Sequence, residues 1–491
     1  MDNLLNHRND IGRKDRPIFI AIIFLPLLLV FGNFDNDVWF ILNSGRYVVL
    51  HGIPYIEPFT IHHGMAFVMQ QWLSAVIFWL LYSTFGDIGL KLLVVVCYTL
   101  IIFVLYKLCM KVSDGYFFVS SIVVFCVSLL LGVWLTSRPS IFSTLILLIE
   151  LYLLESFTIE KKKRYLFFLP VLSALLVNMH AAMWPMLFII MGPYLIDAFG
   201  FKLGKICGEG YPKIGLFIAA AAMLAAGFVN PYGWDAMTYL FRSYGHIEIS
   251  YLVSEMKPPS VNDVVGGVAI LAMFLVVLGY ILHKKGTTKL RYVLLTVGTA
   301  YMALSSLRSF LLFAICGSFP LAWYLKNMSA PVTENEDTPR TKILKNVLMG
   351  LIIAVVIFGV FYVPAQETDS VKSLKMLQET IAVIKAEDSN QPVVLYTGYN
   401  DGGYAEFEGI APYIDPRAEV FVIENNHTDD IMKEYYDLQA GRLYYKDFLD
   451  KYQFTHLIVT DSDSLLVNLE NDPDYTLANA NEEYYLFEKI N

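Results

Sequence analysis

Charge is scarce in this chain of 491 residues: Asp, Glu, Lys and Arg together make up 16%, against roughly 25% in ordinary soluble domains. Apolar residues reach 56% and mean hydropathy is +0.52, which argues against a soluble protein. Cysteine is scarce as well. All five (Cys97, Cys109, Cys126, Cys207, Cys316) lie in or beside apolar segments, and residues 365–491 have none. That excludes a disulfide framework and a CxxC metal site, and no HExxH spacing occurs. Basic residues are few in 365–491, 9 against 25 acidic, whereas the preceding part holds 27 against 20. An acidic tail of this kind argues against nucleic acid as a partner. A small-residue cleavage site is also missing. Arg8, Arg13, Lys14 and Arg16 precede an apolar run that ends in FDNDVW, so the run reads as a retained first helix rather than a signal peptide.

What is present in abundance is apolar runs near 20 residues, the length that crosses a hydrocarbon layer of ~30 Å. They cover approximately 17–34, 70–86, 88–109, 116–136, 140–158, 165–179, 183–200, 213–229, 262–283, 289–305, 309–325 and 343–363. If all twelve spanned, the cluster Lys161, Lys162, Lys163, Arg164 would lie opposite the basic N-terminus, against the positive-inside rule. Segment 70–86 carries Trp72, Trp79 and Tyr82 and runs straight into the next run, so it is read as lying along the outer surface or re-entering. Eleven spans then remain, with 21 of the 27 basic residues before position 365 inside. The N-terminus is cytoplasmic and the tail extracytoplasmic. FDNDVW, TSRPS, NMH, NPYGW, SEMKPP and SLRS all fall on the outer side with the tail.

The tail reads as a small α/β domain. A helix is expected over 369–386 and a strand over 392–397, followed by a tight turn at GYNDGGY. Strands at 412–415 and 420–424, helices near 429–439 and 443–452, a buried strand at 455–461 and a closing alternating strand complete it. The division is 1–364 for the membrane part, with its first outer loop at 35–87, and 365–491 for the soluble domain. The polar stretch 329–342 is the candidate disordered loop.

Asp35 and Asp37 follow the first span, beside Trp39. A carboxylate there can act as general base toward a hydroxyl, or share a divalent cation, Mg or Mn, with a second carboxylate; a merely solvated acid is the alternative. His62 in the same loop is the third candidate ligand, although it and its neighbour His63 cannot readily chelate one ion. His180 stands beside Asn178 at a helix end. Glu150 lies in mid-span, where an ionisable group suggests function or an interhelical hydrogen bond; Glu155 is expected to snorkel. Arg417 can meet an anionic acceptor or pair with Asp415 or Glu419. The Tyr pairs 435–436, 444–445 and 484–485 can stack on sugar rings or fill the core.

An aspartate after the first helix, Gly52 fifteen residues past Asp37, Ile53-Pro54, Glu57-Pro58 and then Trp72-Leu73 resemble the first outer loop of GT-C type membrane glycosyltransferases. The similarity is to bacterial members near the protein mannosyltransferase and lipid A aminoarabinose transferase group. Arg138-Pro139-Ser140, Asn178-Met179-His180, Asn230-Pro231-Tyr232-Gly233, Ser254-Glu255 and Leu307-Arg308 resemble that branch's later outer-edge motifs, and residues 402–421 resemble its tail. Two departures stand out: Gln71 where the branch has Glu, and Glu57 where it has Asp. Gln71 puts in doubt a metal-ligand or proton-accepting role at that position.

The resemblance implies a polytopic α-helical membrane protein of the GT-C class, with about eleven spans, surface helices in the first outer loop and a C-terminal extracytoplasmic α/β domain. It implies a polyprenyl-phosphate-linked sugar as donor and an envelope glycan, lipid or protein as acceptor, with inversion at the anomeric carbon. Asp37, with Asp35 beside it, maps to the catalytic base. The leaving phosphate needs a fixed cation, and Arg308 and Arg138 are the candidates. Glu57, His180, Asn178 and Arg417 are supporting residues. A polysaccharide polymerase, ligase or non-catalytic export partner is the other reading; it would rest on Arg242, His246 and Lys257 in the outer loop 230–261. A transporter would need paired broken helices and polar mid-membrane residues, which the spans lack apart from Glu150.

Overall fold

The computed structural model describes residues 16–29, 36–243, 245–282, 287–326, 350, 369–387 and 392–490. Within these, every apolar run folds as helix, with ends set by breakers. Asp87–Val112, Ser140–Glu160, Val264–Ile281 and Leu307–Lys326 are long and apolar enough to cross a membrane. Phe117–Gly132, Ala181–Asp197, Lys213–Gly227 and Leu290–Ser305 are shorter apolar helices. Val264, Leu271, Phe274, Leu275 and Ile281 lie exposed along one of the long helices, the pattern of a face solvated by hydrocarbon. The run 343–363 lies outside the described residues apart from Gly350, as do residues 329–342.

The chain divides into two compact units. The first gathers Met1–Asn33, Lys91–Met237 and Val253–Ala365; the second gathers Phe34–Leu90, Thr238–Leu252 and Gln366–Asn491.

Inside the first unit, a buried ion cluster ties four separate segments together. Arg291 donates to both oxygens of Glu155, at 2.8 and 3.1 Å, and its third nitrogen reaches Asp197 at 2.9 Å and Glu209 at 2.7 Å. Tyr194 and Tyr292 hydroxyls complete the Glu155 shell at 3.0 and 3.1 Å. Glu155 therefore does not snorkel: it is fully buried, because a guanidinium held in the same layer satisfies both of its oxygens. Glu150, one turn earlier, is fully buried with neither oxygen hydrogen-bonded among the described residues, so the expected interhelical hydrogen bond is not made.

The second unit begins with Val38–His51, a helix stopped by Gly52 at φ +85°. It packs on Trp72–Phe85, the fold of segment 70–86. That helix has 14 residues, or about 21 Å at 1.5 Å per residue, which is short of the hydrocarbon thickness. The two helices meet at backbone distance, since a Cβ on Gly45 would stand 2.0 Å from the carbonyl oxygen of Ala75. Against this pair the chain's last quarter forms an α/β layer. Its sheet runs, in spatial order, Leu395–Tyr396, His456–Thr460, Tyr484–Lys489, Tyr475–Ala480, the first pair parallel and the rest antiparallel. The helix Asp369–Ala386 covers it, burying Leu377, Ile381 and Ile384 with Leu395, Ile458 and Leu486.

Two expected strands are absent among the described residues. Pro412 makes only an isolated bridge to Leu395, and 420–424 falls within the short helical turns Ala418–Phe421 and Ile423–Asn426. The Asp415 carboxylate captures the Arg417 backbone N–H at 2.8 Å, and Asn425 and Asn426 donate to the carbonyls of Glu419 and Val420. Side chains that bind the local backbone in this way compete with a ladder. Gly402 in GYNDGGY serves close packing rather than a left-handed turn, since a Cβ there would stand 1.9 Å from the Ile414 carbonyl oxygen.

Candidate functional site

In the first unit, three motifs distant in sequence converge. Arg138 begins the turn into Ser140–Glu160, Glu255 lies in the short 3-10 turn Ser254–Met256, and Arg308 in the turn Leu307–Ser309. Arg138 donates to both Glu255 oxygens, at 3.0 and 3.3 Å; Arg308 stands 3.8 Å from the same carboxylate and reaches the Met256 sulfur. One carboxylate thus brings two guanidiniums together. Arg308 is half exposed. His180 sits behind, its Nδ1 2.8 Å from the Ser143 hydroxyl. Asn178 donates to the carbonyls of Ala174 and Val229, and Asn230 closes the NPYG turn by donating to Gly227 and Gly233. His180 and Asn178 therefore brace helix ends.

In the second unit, Asp37 stands at the N-terminus of Val38–His51, where the helix dipole favours its charge. Burial pushes the Tyr399 phenol well up, and the charges of Glu419 and Asp37 add to the effect; the Tyr399 hydroxyl is anchored on the Pro416 carbonyl at 2.8 Å. Asp35 lies outside the described residues.

Glu57 and Arg417 are brought together, which sequence spacing does not announce. Glu57 accepts from the backbone N–H of Phe59 and Thr60, both at 3.0 Å, and from the Thr60 hydroxyl at 2.7 Å. It also accepts from Arg417 at 2.9 Å. Arg417 forks onto Asp415 and touches Glu406 at 3.3 Å, with Phe59 and Phe67 against its guanidinium. Its expected pairing with Asp415 is thus made, alongside Glu57 and Glu406, and its role is to lock the first loop to residues 406–417. Burial opposes the Arg417 charge, but Asp415, Glu406 and Glu57 outweigh it and hold the guanidinium protonated. Burial pushes Glu406 well above the usual carboxylate range; Arg417 opposes that, and Asp415 and Glu57 add to it.

His62 gives its Nε2 proton to the Tyr413 carbonyl at 2.8 Å, with its ring against Tyr413 and Tyr452; burial lowers its pKa. Among the described residues, the metal-ligating side chains within mutual reach are Glu387, His456 and Glu488. Asp37 and His62 are not in that group, and Asp35, the remaining candidate ligand, lies outside the described residues. The Tyr pairs divide: Tyr435 and Tyr484 are buried, while Tyr444 is exposed.

Asp401, missed in the sequence, is pushed up to about 7 by burial, with Glu483 and Asp463 adding to the shift and the Tyr484 hydroxyl opposing it. The folded state therefore binds a proton that the unfolded chain, titrating near ~3.9, has released. Stability from this group is fully present below about pH 4 and is lost as pH rises through about 7, with a slope of at most about 1.4 kcal/mol per pH unit. Thermal unfolding of the full chain between pH 4 and 8 should show this decline, and Asp401→Asn, which keeps the acceptor for Tyr484, should flatten it.

No protein-family model matches the sequence, and no curated protein matches it at the sequence level. Solved structures do match. The oligosaccharyltransferase AglB of Archaeoglobus fulgidus, in complex with an inhibitory peptide and a dolichol-phosphate, superposes with a TM-score of 0.59 at 8% identity, over 91% of this chain and 69% of that one. The Archaeoglobus fulgidus oligosaccharyltransferase tethered to an acceptor peptide gives 0.54 at 10%, over 90% and 68%. The mycobacterial arabinofuranosyltransferase AftD gives 0.54 at 13%, over 97% of this chain and 42% of that one. The chain has a GT-C fold. With its apolar helices, this GT-C chain is a multi-pass membrane protein carrying a C-terminal α/β region.

Proposed function

We propose that this chain is a membrane glycosyltransferase that moves a sugar from a polyprenyl-phosphate donor to a hydroxyl of an envelope glycan, lipid or protein, inverting the anomeric carbon. The observation that carries the reading is the convergence of Arg138 and Arg308 on Glu255 in a chain of GT-C fold. Two guanidiniums fixed by one carboxylate are a ready receptor for a phosphate, because planar donors fork onto its oxygens. That a fold neighbour is seen with a dolichol-phosphate supports the same donor class.

In the reaction, the acceptor oxygen bonds to the anomeric carbon as the bond from that carbon to the phosphate oxygen breaks. Asp37 takes the acceptor hydroxyl's proton. The lipid phosphate departs as an anion onto Arg138 and Arg308. Glu57 and Arg417 hold the loop that follows the Asp37 helix, while His180 and Asn178 stiffen the helix ends beside Arg138. The topology that goes with this reading has eleven spans in the cell membrane, the N-terminus cytoplasmic, and Asp37 and the tail outside.

The test is transfer by the full chain in lipid nanodiscs supplied with synthetic polyprenyl-phosphate sugars. Consumption of one of them, with inverted product, is expected. Arg308→Gln should raise the donor KM about tenfold, the equivalent of one charge-assisted hydrogen bond near 1.4 kcal/mol, while moving the acceptor KM little. If no polyprenyl-phosphate sugar is consumed, or Arg308→Gln leaves the donor KM unchanged, the assignment fails.

A further inference from the structure

The second unit contains a cleft that the mechanism above does not use. One stripe of the Val38–His51 helix, Asn43, Arg46, Tyr47 and Leu50 at three- and four-residue spacing, faces Phe59 and Glu406 across a cavity of about 270 Å³. We propose that this cleft is a saccharide subsite that takes a neutral hexopyranose unit of the acceptor.

Each wall supplies a part of that recognition. Arg46 is pinned: its guanidinium donates to the Asn43 side-chain oxygen at 2.7 Å and to the Phe407 carbonyl at 2.8 Å, and it lies over the rings of Phe407 at 5.0 Å and Trp79 at 5.7 Å. It therefore presents donors in a fixed direction at little entropic cost. Glu406 is 3% exposed, and its Oε1 has no hydrogen-bond partner among the described residues. A buried polar atom left in this state carries an unmet desolvation cost, which a ligand hydroxyl removes. Tyr47 and Phe59 meet edge to face at 5.3 Å, and Tyr47 adjoins His51 at 4.8 Å. They give the flat apolar surface on which the C–H face of a sugar ring rests.

Charge selects among ligands. Arg46 is the one guanidinium and Glu406 the one carboxyl group on the lining, so the cleft presents no cluster of like charge. A phosphate or a uronic acid gains nothing there over water, and neither does an amine. A neutral ring with adjacent hydroxyls matches the fixed donors, the acid and the aromatic faces together. The word acceptor rests on the transferase reading above; the binding of the sugar does not.

Saturation-transfer NMR on the full chain in lipid nanodiscs, free of glycoside detergents, tests this with the methyl glycosides of glucose, galactose, mannose and N-acetylglucosamine, with methyl glucuronide alongside and inorganic phosphate, which has no C–H proton, read by its displacement of the glycoside signal. At least one neutral glycoside is expected to bind in the millimolar range. Leu50→Trp plugs the mouth from a side chain that is 68% exposed and so leaves the fold intact; it should weaken binding at least tenfold. Phe59→Leu should weaken it as well, and Asp37→Asn should leave it unchanged. The proposal falls if no neutral glycoside binds, if Leu50→Trp binds as well as the parent chain, or if glucuronide or phosphate binds more tightly than every neutral glycoside. Loss of transfer in Asp37→Asn with binding retained keeps the two claims separate.

Discussion

Asp37→Asn is expected to stay folded and in the membrane while losing transfer by roughly 10²- to 10⁴-fold, the range that general-base removal costs. Asparagine has the same shape, and the Asp37 side chain makes no capping hydrogen bond to the helix it begins, so the substitution should not unwind that helix. What it removes is the proposed proton acceptor. The loss should appear in kcat, with the donor KM little changed, because the proposed phosphate receptor is the Arg138–Arg308 pair. The measurement is initial rate against polyprenyl-phosphate sugar concentration, with the melting temperature as the folding control. Full activity in Asp37→Asn, together with its loss in Arg242→Ala, would move the chemistry to the alternative outer-loop set. In that set, His246 already leans on the Arg242 carbonyl and stands 3.7 Å from Glu424.

Arg417→Met should be the most damaging single change in the second unit. It leaves Asp415, Glu57 and Glu406 facing one another in a space where none is more than 3% exposed. Removing one partner of a buried ion cluster costs about 3–5 kcal/mol, because the remaining charges stay buried without compensation. Arg417→Lys should recover only part of this, since an ammonium cannot fork onto Asp415 while also reaching Glu57 and Glu406. Thermal unfolding of the full chain, followed through the aromatic CD signal, reads both. A deficit below about 1 kcal/mol in Arg417→Met would show that the cluster does not hold the unit together.

Much of this architecture is written in local pattern. Apolar runs of near-constant length mark the helices, and capping residues near Asp369 and the alternation in EYYLFEKI mark the two flanks of the tail domain. RPS, SE and LR are legible as motifs because Arg and Glu are rare at helix ends in so apolar a chain. What pattern does not reveal is pairing across the chain. Arg291 looks like one of many inner positive charges, yet it is fully buried on Glu155, Asp197 and Glu209. Nothing near position 155 signals a partner 136 residues away. Glu406 lies in plain view within GGYAEFEGI, but its raised pKa depends on burial, to which Asp415 and Glu57 add. The edge strand Tyr475–Ala480 was unreadable for a different reason. After Tyr475 its residues are exposed or half-exposed on both faces, so its sequence, YTLANA, carries no alternation.

The Glu57–Arg417 bridge joins residues 360 positions apart. At about 5–20 residues per second, a ribosome needs roughly 20 to 70 seconds between making the first and the second. Through that interval the Glu57 carboxylate has only the Phe59 and Thr60 donors of its own loop and no partner from the far end of the chain. A chain released at any codon before 417 therefore leaves this loop without its ionic tie to residues 406–417.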